Sequence, residues 1–437
     1  MGFSIILIKT RPPGWPDRRA SAATGRIRGG NVDALAAQPT VAGTGRVTAR
    51  VVGLCLLVIV LDGFDMLVIA LTAPAIAADW GLPAHRLGPL FAAGILGMIC
   101  GSVLIAPLGD RLGRVRVLML SCALFGLFAG LTTLATGYWS LLGLRLLTGL
   151  GLGGAVPNAT ALISEHASPR RRPLLVSVGL VGFSLGGMLC AGLAVPLLPR
   201  FGWRALYLVG GVLPLLLIPV LRRYLPDSPV AARDLRVAER GGVRRLLGAD
   251  LGPDTRRLWL GFFINMMVMF FLANWVPYLA GQAGFSPRQG SLAALALNLG
   301  GVVGPLLLAM GCQYLDARRV IGTAFVLAAA SLVAVGYATG SFGVYLAAAA
   351  LAGFFVFGAQ ITLHALAAAA YPTALRATGI GWALGCGRVG SVFGPLLGGE
   401  MLRSGVPLQY YFSGFGLAVL LAAAATFTLS GRVASAQ

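Results

Sequence analysis

Two acidic residues, Asp62 and Asp65, stand inside an apolar stretch that runs from 51 to 73. About eleven residues of helix before Asp62 rise about 16 Å, which reaches the middle of a roughly 30 Å hydrocarbon layer. Residues three apart share one face of a helix. A carboxylate at that depth costs roughly 2.5–3.5 kcal/mol and usually marks a proton or substrate pathway. We predict proton coupling here; the alternative is a frayed helix end where both acids meet water.

Two arginines also lie inside apolar stretches. Arg145 stands about eight residues in from the outer end of its stretch, and Arg388 stands about twelve residues in from the inner end of its own. At such depths each arginine needs a charged partner. Arg145 is predicted either to bind a substrate carboxylate or to neutralise an aspartate of the first span; snorkelling to the interface is the alternative. Glu165 is a third candidate for proton coupling, but the basic run at 170–172 makes a loop salt bridge an equal interpretation.

Uncharged polar and aromatic residues accompany these charges in two stretches of the second half. Such aromatic side chains more often pack or sit at the membrane interface than line a ligand site. The candidate substrate-binding residues of this kind are Asn265, Trp275, Tyr278, Gln360 and His364.

The composition predicts an all-α membrane protein. Hydrophobic residues make up 57% of the chain and charged residues 11%, and the mean hydropathy is +0.84. Glycine accounts for 62 of 437 residues, which suits close helix packing in lipid. Twelve stretches are long enough, or nearly, to span as helices. They are 51–73, 87–107, 115–136, 138–163, 174–197, 203–222, 258–280, 289–312, 319–338, 342–367, 377–402 and 408–430.

The basic residues are distributed asymmetrically about these spans. Of 34 basic residues, 27 fall on the side of the two termini, five fall on the other side, and two lie inside spans. This asymmetry predicts that both termini are cytoplasmic. A nucleic-acid-binding protein would gather its arginines on a soluble module, and none is apparent in the sequence. The net charge of +20 therefore does not indicate a nucleic-acid partner.

Two six-helix halves organise the chain, in a duplication typical of secondary transporters. Sequence features of residues 81–86, 109–114 and 168–172 recur about 203 to 206 residues later. The predicted domains are a disordered basic cytoplasmic tail, a first six-helix bundle, a cytoplasmic linker, a second six-helix bundle and a C-terminal cytoplasmic tail. Their ranges are 1–49, 50–222, 223–257, 258–430 and 431–437.

The loop after the second span contains ordered glycines and charges. Its glycines permit a tight turn and close helix approach, and its acid can cap the next helix or pair with an arginine. A degraded copy follows the eighth span. The predicted gating residues are Gly109, Asp110, Arg111, Gly113 and Arg114 in the first loop, and Asp316 and Arg318 in its copy.

Motifs of enzymes are misplaced in this chain. A dinucleotide-like glycine pattern at 149–154 follows no strand, and a nucleophile-elbow pattern at 182–186 lies in mid-span. The six cysteines fall in spans without metal-ligand spacing. We predict no enzyme, no cofactor and no metal site.

Three stretches resemble the aromatic acid:proton symporters of the major facilitator superfamily. They are Leu61-Asp62-Gly63-Phe64-Asp65 with Ala73-Pro74; residues 145–154 with Pro157-Asn158; and Tyr371-Pro372 with residues 376–390. The resemblance covers about 50–430. It implies import of a benzoate, hydroxybenzoate or phenylpropanoid acid with protons. Asp62 and Asp65 would then couple protons, and Arg145 or Arg388 would meet the substrate carboxylate. The long leading tail and Ala317 in the second loop depart from the family pattern.

The sequence thus predicts a monomeric proton symporter for an aromatic acid in a bacterial inner membrane. Its partners are a small aromatic acid, protons and the lipid bilayer. Import of another organic acid, or proton-driven drug export, is the alternative within transport. A non-transporting membrane receptor is the alternative from another class, and it would tolerate neutral residues at 62, 65, 145 and 388.

Overall fold

The computed structural model describes residues 45–168, 171–226, 242–372 and 375–430. Within these ranges all regular structure is helical. Most of the predicted leading tail, the middle of the linker at 227–241 and the tail at 431–437 lie outside the described residues.

Twelve helices are long and apolar enough to cross a membrane, which confirms the predicted fold class. We number them α1 to α12; shorter helices stay unnumbered. They are α1 Gly45–Trp80, α2 Leu87–Leu104, α3 Arg114–Leu131, α4 Tyr138–His166, α5 Arg172–Phe201, α6 Arg204–Tyr224, α7 Gly252–Gln282, α8 Pro287–Tyr314, α9 Ala317–Tyr337, α10 Phe342–Ala370, α11 Arg376–Arg403 and α12 Leu408–Phe427.

Two helices begin about six residues before the predicted apolar stretches, at 45 rather than 51 and at 252 rather than 258. Helix α1 is already formed at Gly45, inside the range 1–49 that is predicted as the leading tail. Thr48 explains part of this, because its hydroxyl donates to the carbonyl of His166 at 3.0 Å and fixes the first turn to α4. Helix α7 begins at Gly252 rather than 258, and its Asp254 accepts hydrogen bonds from the backbone N–H and the hydroxyl of Ser430. Side-chain contacts therefore extend both helices beyond their apolar spans.

Glycines let the helices of each half approach closely. Gly97 and Gly101 of α2 press against the backbone of α4, where a Cβ would clash with carbonyl oxygens. Gly300 and Gly304 of α8 do the same against α10. The glycine run at 149–154 is thus a packing face, as expected for small residues in membrane helices.

The two halves repeat the same helix pairs. Helix α1 packs on α5 through Gly63 and Gly186, and α7 packs on α11 through Gly390 and Gly394. Equivalent pairs therefore sit six helices apart, which is the arrangement that the sequence duplication predicts.

The halves meet through α2 on α11 and through α5 on α8, again a related pair. In the first turn of α2, a Cβ at Gly88 would stand 3.0 Å from the Pro395 carbonyl oxygen. Phe91 meets Trp275 edge to face at 5.0 Å nearby. The protein is therefore tightly closed at the end that bears the α1–α2 loop.

Candidate functional site

A buried ion pair joins α1 to α4. The Arg145 Nη1 atom lies 2.9 Å from Asp65 Oδ2, and Nη2 donates to the Asp65 backbone carbonyl at 3.4 Å. Both side chains are 1% exposed. Of the arrangements predicted for Arg145, the structure thus has the one in which it contacts an aspartate of the first span. A charge buried without a partner would cost several kcal/mol, roughly, so each residue needs the other.

The space for this pair comes from two residues that the sequence did not single out. A Cβ at Gly94 of α2 would stand 3.1 Å from Arg145 Nη2, so glycine leaves room for the guanidinium. Tyr207 of α6 is fully buried within electrostatic reach of Arg145, and its hydroxyl accepts from Thr72 at 3.5 Å. Only the folded packing reveals them, because they lie far from Arg145 along the chain.

Asp62 differs from Asp65 in having no ion pair among the described residues. Its side chain is 1% exposed, and its Oδ1 atom has no hydrogen-bond partner there. Arg388 of α11 is partly buried, and its Nη1 atom is likewise unpartnered within the described ranges. Each lies within electrostatic reach of the other across the two halves. The site therefore holds one closed ion pair, Asp65 with Arg145, and two further ionisable side chains, Asp62 and Arg388, that are not in contact.

An amide pair lies in the second half, at the level of Arg388. Asn265 Nδ2 donates to the Val356 carbonyl at 3.1 Å and to Gln360 Oε1 at 2.8 Å. Asn265 Oδ1 and Gln360 Nε2 are buried and have no partner in the part of the chain that the structure describes. The adjacent Met266 Cγ stands 3.1 Å from where Gly387 would place a Cβ. The amides are thus next to the helix that bears Arg388.

The other three predicted substrate-binding residues lie in different surroundings. Trp275 is fully buried and its indole N–H donates to the Pro395 carbonyl at 3.0 Å, so its polar atom is used in packing α7 on α11. Tyr278 meets Trp275 edge to face at 5.6 Å. His364 Nδ1 lies 2.6 Å from the Gln360 carbonyl and must bear the proton, because a carbonyl only accepts. Trp275 is therefore placed in interhelical packing, and Tyr278 packs against it on the same helix.

The first gating loop is held by one arginine between two acids. Arg114 lies 3.0 Å from Asp110 and 2.5 Å from Glu165 at the end of α4. Gly113 adopts a φ of 97°, which favours glycine, and a Cβ at Gly109 would collide with the side-chain oxygen of Asn158. Glu165 thus takes part in a salt bridge with Arg114, while residue 170 of the basic run at 170–172 lies outside the described residues. Arg111 of the same loop is exposed.

The second gating loop is tied differently. Asp316 caps α9 by accepting from the Arg318 backbone N–H at 2.9 Å, and the two side chains pair at 2.8 Å. Arg318 also donates to the Leu429 carbonyl at 2.8 Å, beyond the end of α12. Hydrogen bonds from Arg318 lower the pKa of the Asp316 carboxyl. This loop therefore joins α9 to α12, whereas the first joins α3 to α4.

Metal-binding groups of three or more His, Cys, Asp or Glu side chains are not found among the described residues.

Comparison with known proteins agrees with this architecture. The chain matches the model of the Major Facilitator Superfamily over residues 55–310 and 258–436. It is 38% identical to a 3-(3-hydroxy-phenyl)propionate transporter of Escherichia coli, over 87% of this chain and 94% of that protein. It is 36% identical to a 4-hydroxybenzoate transporter of Pseudomonas aeruginosa (89% and 93%) and 34% identical to a gallate transporter of Pseudomonas putida (85% and 89%).

Solved structures share the fold at lower identity. A D-xylose–proton symporter matches with a TM-score of 0.73 at 18% identity, covering 89% of this chain and 99% of that one. A bacterial homologue of the lysosomal transporter Spinster, in an inward-facing conformation, matches with a TM-score of 0.72 at 19% identity, covering 90% and 99%. This chain is a multi-pass membrane protein, and it belongs to the Major Facilitator Superfamily, a family of transporters rather than enzymes.

Proposed function

We propose that this protein imports an aromatic carboxylate together with protons across a bacterial inner membrane. Three relatives at 34–38% identity are named as transporters of hydroxylated aromatic acids. Each is matched over most of its length, which spans both six-helix halves. The proposal covers the substrate class and leaves the individual acid open.

The observation that supports this function best is the opposed pair Asp62 and Arg388. Both have an unpartnered buried polar atom within the described part of the chain, and each belongs to a different half. Arginine presents a planar fork that matches a carboxylate, and it is less costly to bury when that anion is bound. We assign the substrate carboxylate to Arg388 and the proton to Asp62.

Asp65 and Arg145 serve a different purpose in this proposal. Arg145 already contacts Asp65, so it is not free to receive an anion in this conformation. We assign them to holding α1 against α4, so that Asp62, one turn away from Asp65, keeps its position. Asp65 then influences coupling indirectly, through the place of Asp62.

Proton coupling supplies the driving force that an anion lacks. A carboxylate entering alone moves negative charge against an inside-negative potential, at about 2.3 kcal/mol per charge per 100 mV. A proton that binds Asp62 with the substrate cancels that charge, and a second proton would make the potential favourable. Alternating access requires that the loaded and empty forms differ in the opening they favour. Neutralising Asp62 changes the charge opposite Arg388, which gives such a difference.

The proposed orientation places both termini in the cytoplasm. Its support is the distribution of 27 basic residues on the side of the termini against five on the other. The end closed by α2 and α11 is then periplasmic. A reporter inserted within 223–257 should be active in the cytoplasm, and a periplasmic signal would contradict the orientation.

Uptake into proteoliposomes tests the function. Purified protein should accumulate labelled 4-hydroxybenzoate when the outside is acidic, and a protonophore should abolish the accumulation. Exit of lipophilic cations without uptake of any aromatic acid would instead indicate proton-driven drug export. Binding without transport would indicate a receptor. Uptake of only aliphatic organic acids would retain the transport class and refute the aromatic substrate.

A further inference from the structure

The amide pair between α7 and α10 has one hydrogen-bond donor and one acceptor to spare. The Val356 carbonyl can only accept, so the Asn265 atom that lies 3.1 Å from it is the amide nitrogen. That nitrogen also donates to Gln360, so the Gln360 atom facing it is the oxygen. The orientations of both amides are thus fixed by a backbone group.

What remains on this pair is an acceptor, Asn265 Oδ1, and a donor, Gln360 Nε2. Both atoms are buried and have no partner among the described residues, while the side chains are 0% and 5% exposed. An unpaired buried amide atom is costly, so a partner that satisfies both would bind with a clear gain. A carboxylate can accept from Gln360 but has no proton for Asn265. A hydroxyl both donates and accepts, so it satisfies both atoms at once.

The pair lies close to the residue that we assign to the substrate carboxylate. Gly387, the neighbour of Arg388, packs against Phe262 and Met266, which flank Asn265 on α7. Arg388 and the amide pair are therefore at one level on adjacent helices. An aromatic acid with its carboxylate on Arg388 extends its ring from α11, and a ring hydroxyl is the group left to meet α7 and α10.

We propose that Asn265 and Gln360 recognise a ring hydroxyl of the substrate, so that this transporter selects hydroxylated aromatic acids over unsubstituted ones. Asn265 Oδ1 accepts the hydroxyl proton, and Gln360 Nε2 donates to the hydroxyl oxygen. This inference rests on the proposed function and adds the chemical class of the substrate. Sites built to hydrogen-bond a substrate hydroxyl discriminate strongly against the analogue that lacks it, because the buried groups are then left unpaired.

The wild-type protein gives the first test, with uptake measured for benzoate, 3-hydroxybenzoate, 4-hydroxybenzoate and their methoxy counterparts. At least one hydroxybenzoate should have an apparent affinity about tenfold or more above that of benzoate. Its methoxy counterpart, which accepts but cannot donate, should lose this advantage. Equal affinities for benzoate and both hydroxybenzoates would overturn the inference while the proposed function stands. Uptake of none of the acids would overturn both.

The variant Gln360→Met keeps the length of the side chain and removes its amide. It should lower the affinity for the preferred hydroxybenzoate about tenfold and leave that for benzoate within about twofold. The matched control is Asn274→Leu, a buried amide on α7 whose hydrogen bond among the described residues goes to the Phe270 carbonyl of its own helix. The control should keep the preference. A Gln360→Met protein with unchanged preference would refute the role of the pair, and if it fails to fold, the wild-type comparison still decides.

Discussion

The two halves of this transporter share a backbone plan and differ in where they bury charge. In the first half, the core of the site holds Asp62, Asp65 and Arg145, each 1% exposed. In the second half, the equivalent region of α7 and α10 holds the amides Asn265 and Gln360, and only Arg388 of α11 is charged. Under the proposed function, the two copies of the duplicated fold carry different tasks. Titratable groups suit the proton, while fixed donors and acceptors suit a substrate.

The gating loops show the same division at the ends of the helices. The first places Arg114 between two acids, Asp110 and Glu165, and so depends on charge. The second pairs Asp316 with Arg318 two residues away and adds a helix cap and a backbone carbonyl, while residues 368–371, which correspond to the Glu165 region, have no acid. The charges of the first loop therefore join it to α4, whereas the ion pair of the second stays at the start of α9 and a backbone carbonyl makes the link towards α12.

The largest effect is expected from Asp62→Asn, which keeps the size of the side chain and removes its titration. If the first half handles the proton, uphill accumulation should fall to the equilibrium level, and exchange of labelled for unlabelled substrate should survive in part. Asp62→Glu should retain some coupled uptake, and Asp65→Asn should show a milder defect. The measurement is gradient-driven uptake beside counterflow in proteoliposomes. If the Asp62→Asn protein still accumulates substrate against its gradient, the first half does not carry the coupled proton.

The next effect concerns which arginine meets the substrate. Arg388→Ala should abolish uptake, and Arg388→Lys should weaken apparent affinity by about tenfold or more, because lysine is a point charge without the planar fork. Arg145→Lys, the matched variant in the first half, should lower the folded yield and the rate but leave affinity for substrate nearly unchanged. Affinity measured by substrate protection against thermal unfolding separates the two. If Arg145→Lys weakened the affinity and Arg388→Lys did not, the substrate carboxylate would bind in the first half.

A smaller effect is expected at the charged loop. Asp110→Asn or Glu165→Gln should slow transport several-fold and leave substrate binding intact, since Arg114 then loses one of its two acids. The control is Glu400→Gln, which removes an exposed pair with Arg403 whose contribution is about 0–1 kcal/mol. Rates of exchange with normal expression are the measurement. Unchanged exchange in both loop variants would show that the first loop is as passive as the second.

The smallest effect on transport is expected at the second loop. Asp316→Ala removes a helix cap, so it should lower the thermal stability at a cost of about 1 kcal/mol and change uptake by less than about twofold. Because the folded state lowers the pKa of Asp316, its contribution is present above the unfolded pKa of about 4 and is lost as pH falls through the lower folded value. Wild type and variant should therefore differ in melting temperature at neutral pH and converge in strong acid. A large transport defect in the Asp316→Ala protein would show that both loops act in transport, which contradicts the proposed difference between them.

The sequence predicted the number of spans and the depth of the buried charges, because both follow from hydropathy and helical rise. It also placed Asp62, Arg388 and both gating loops among the candidates. It left open the partner of Arg145, since that depends on how α1 and α4 are rotated about their axes. Gly94 and Tyr207 gave no signal of their own, because a glycine or a tyrosine in an apolar span is ordinary. The free donor and acceptor of the amide pair required the hydrogen bond to Val356, which no spacing reveals.

The bond between Ser430 and Asp254 bears on the order in which the chain can be assembled. In the first half, the tie from Thr48 to His166 is available as soon as α4 has been synthesised. In the second half, the first turn of α7 is bound by a residue beyond α12, so that half is incomplete until Ser430 has left the ribosome. A chain that stops at the end of α12 would have all twelve spans and still lack this closure. Purification tags should accordingly be attached beyond Ser430.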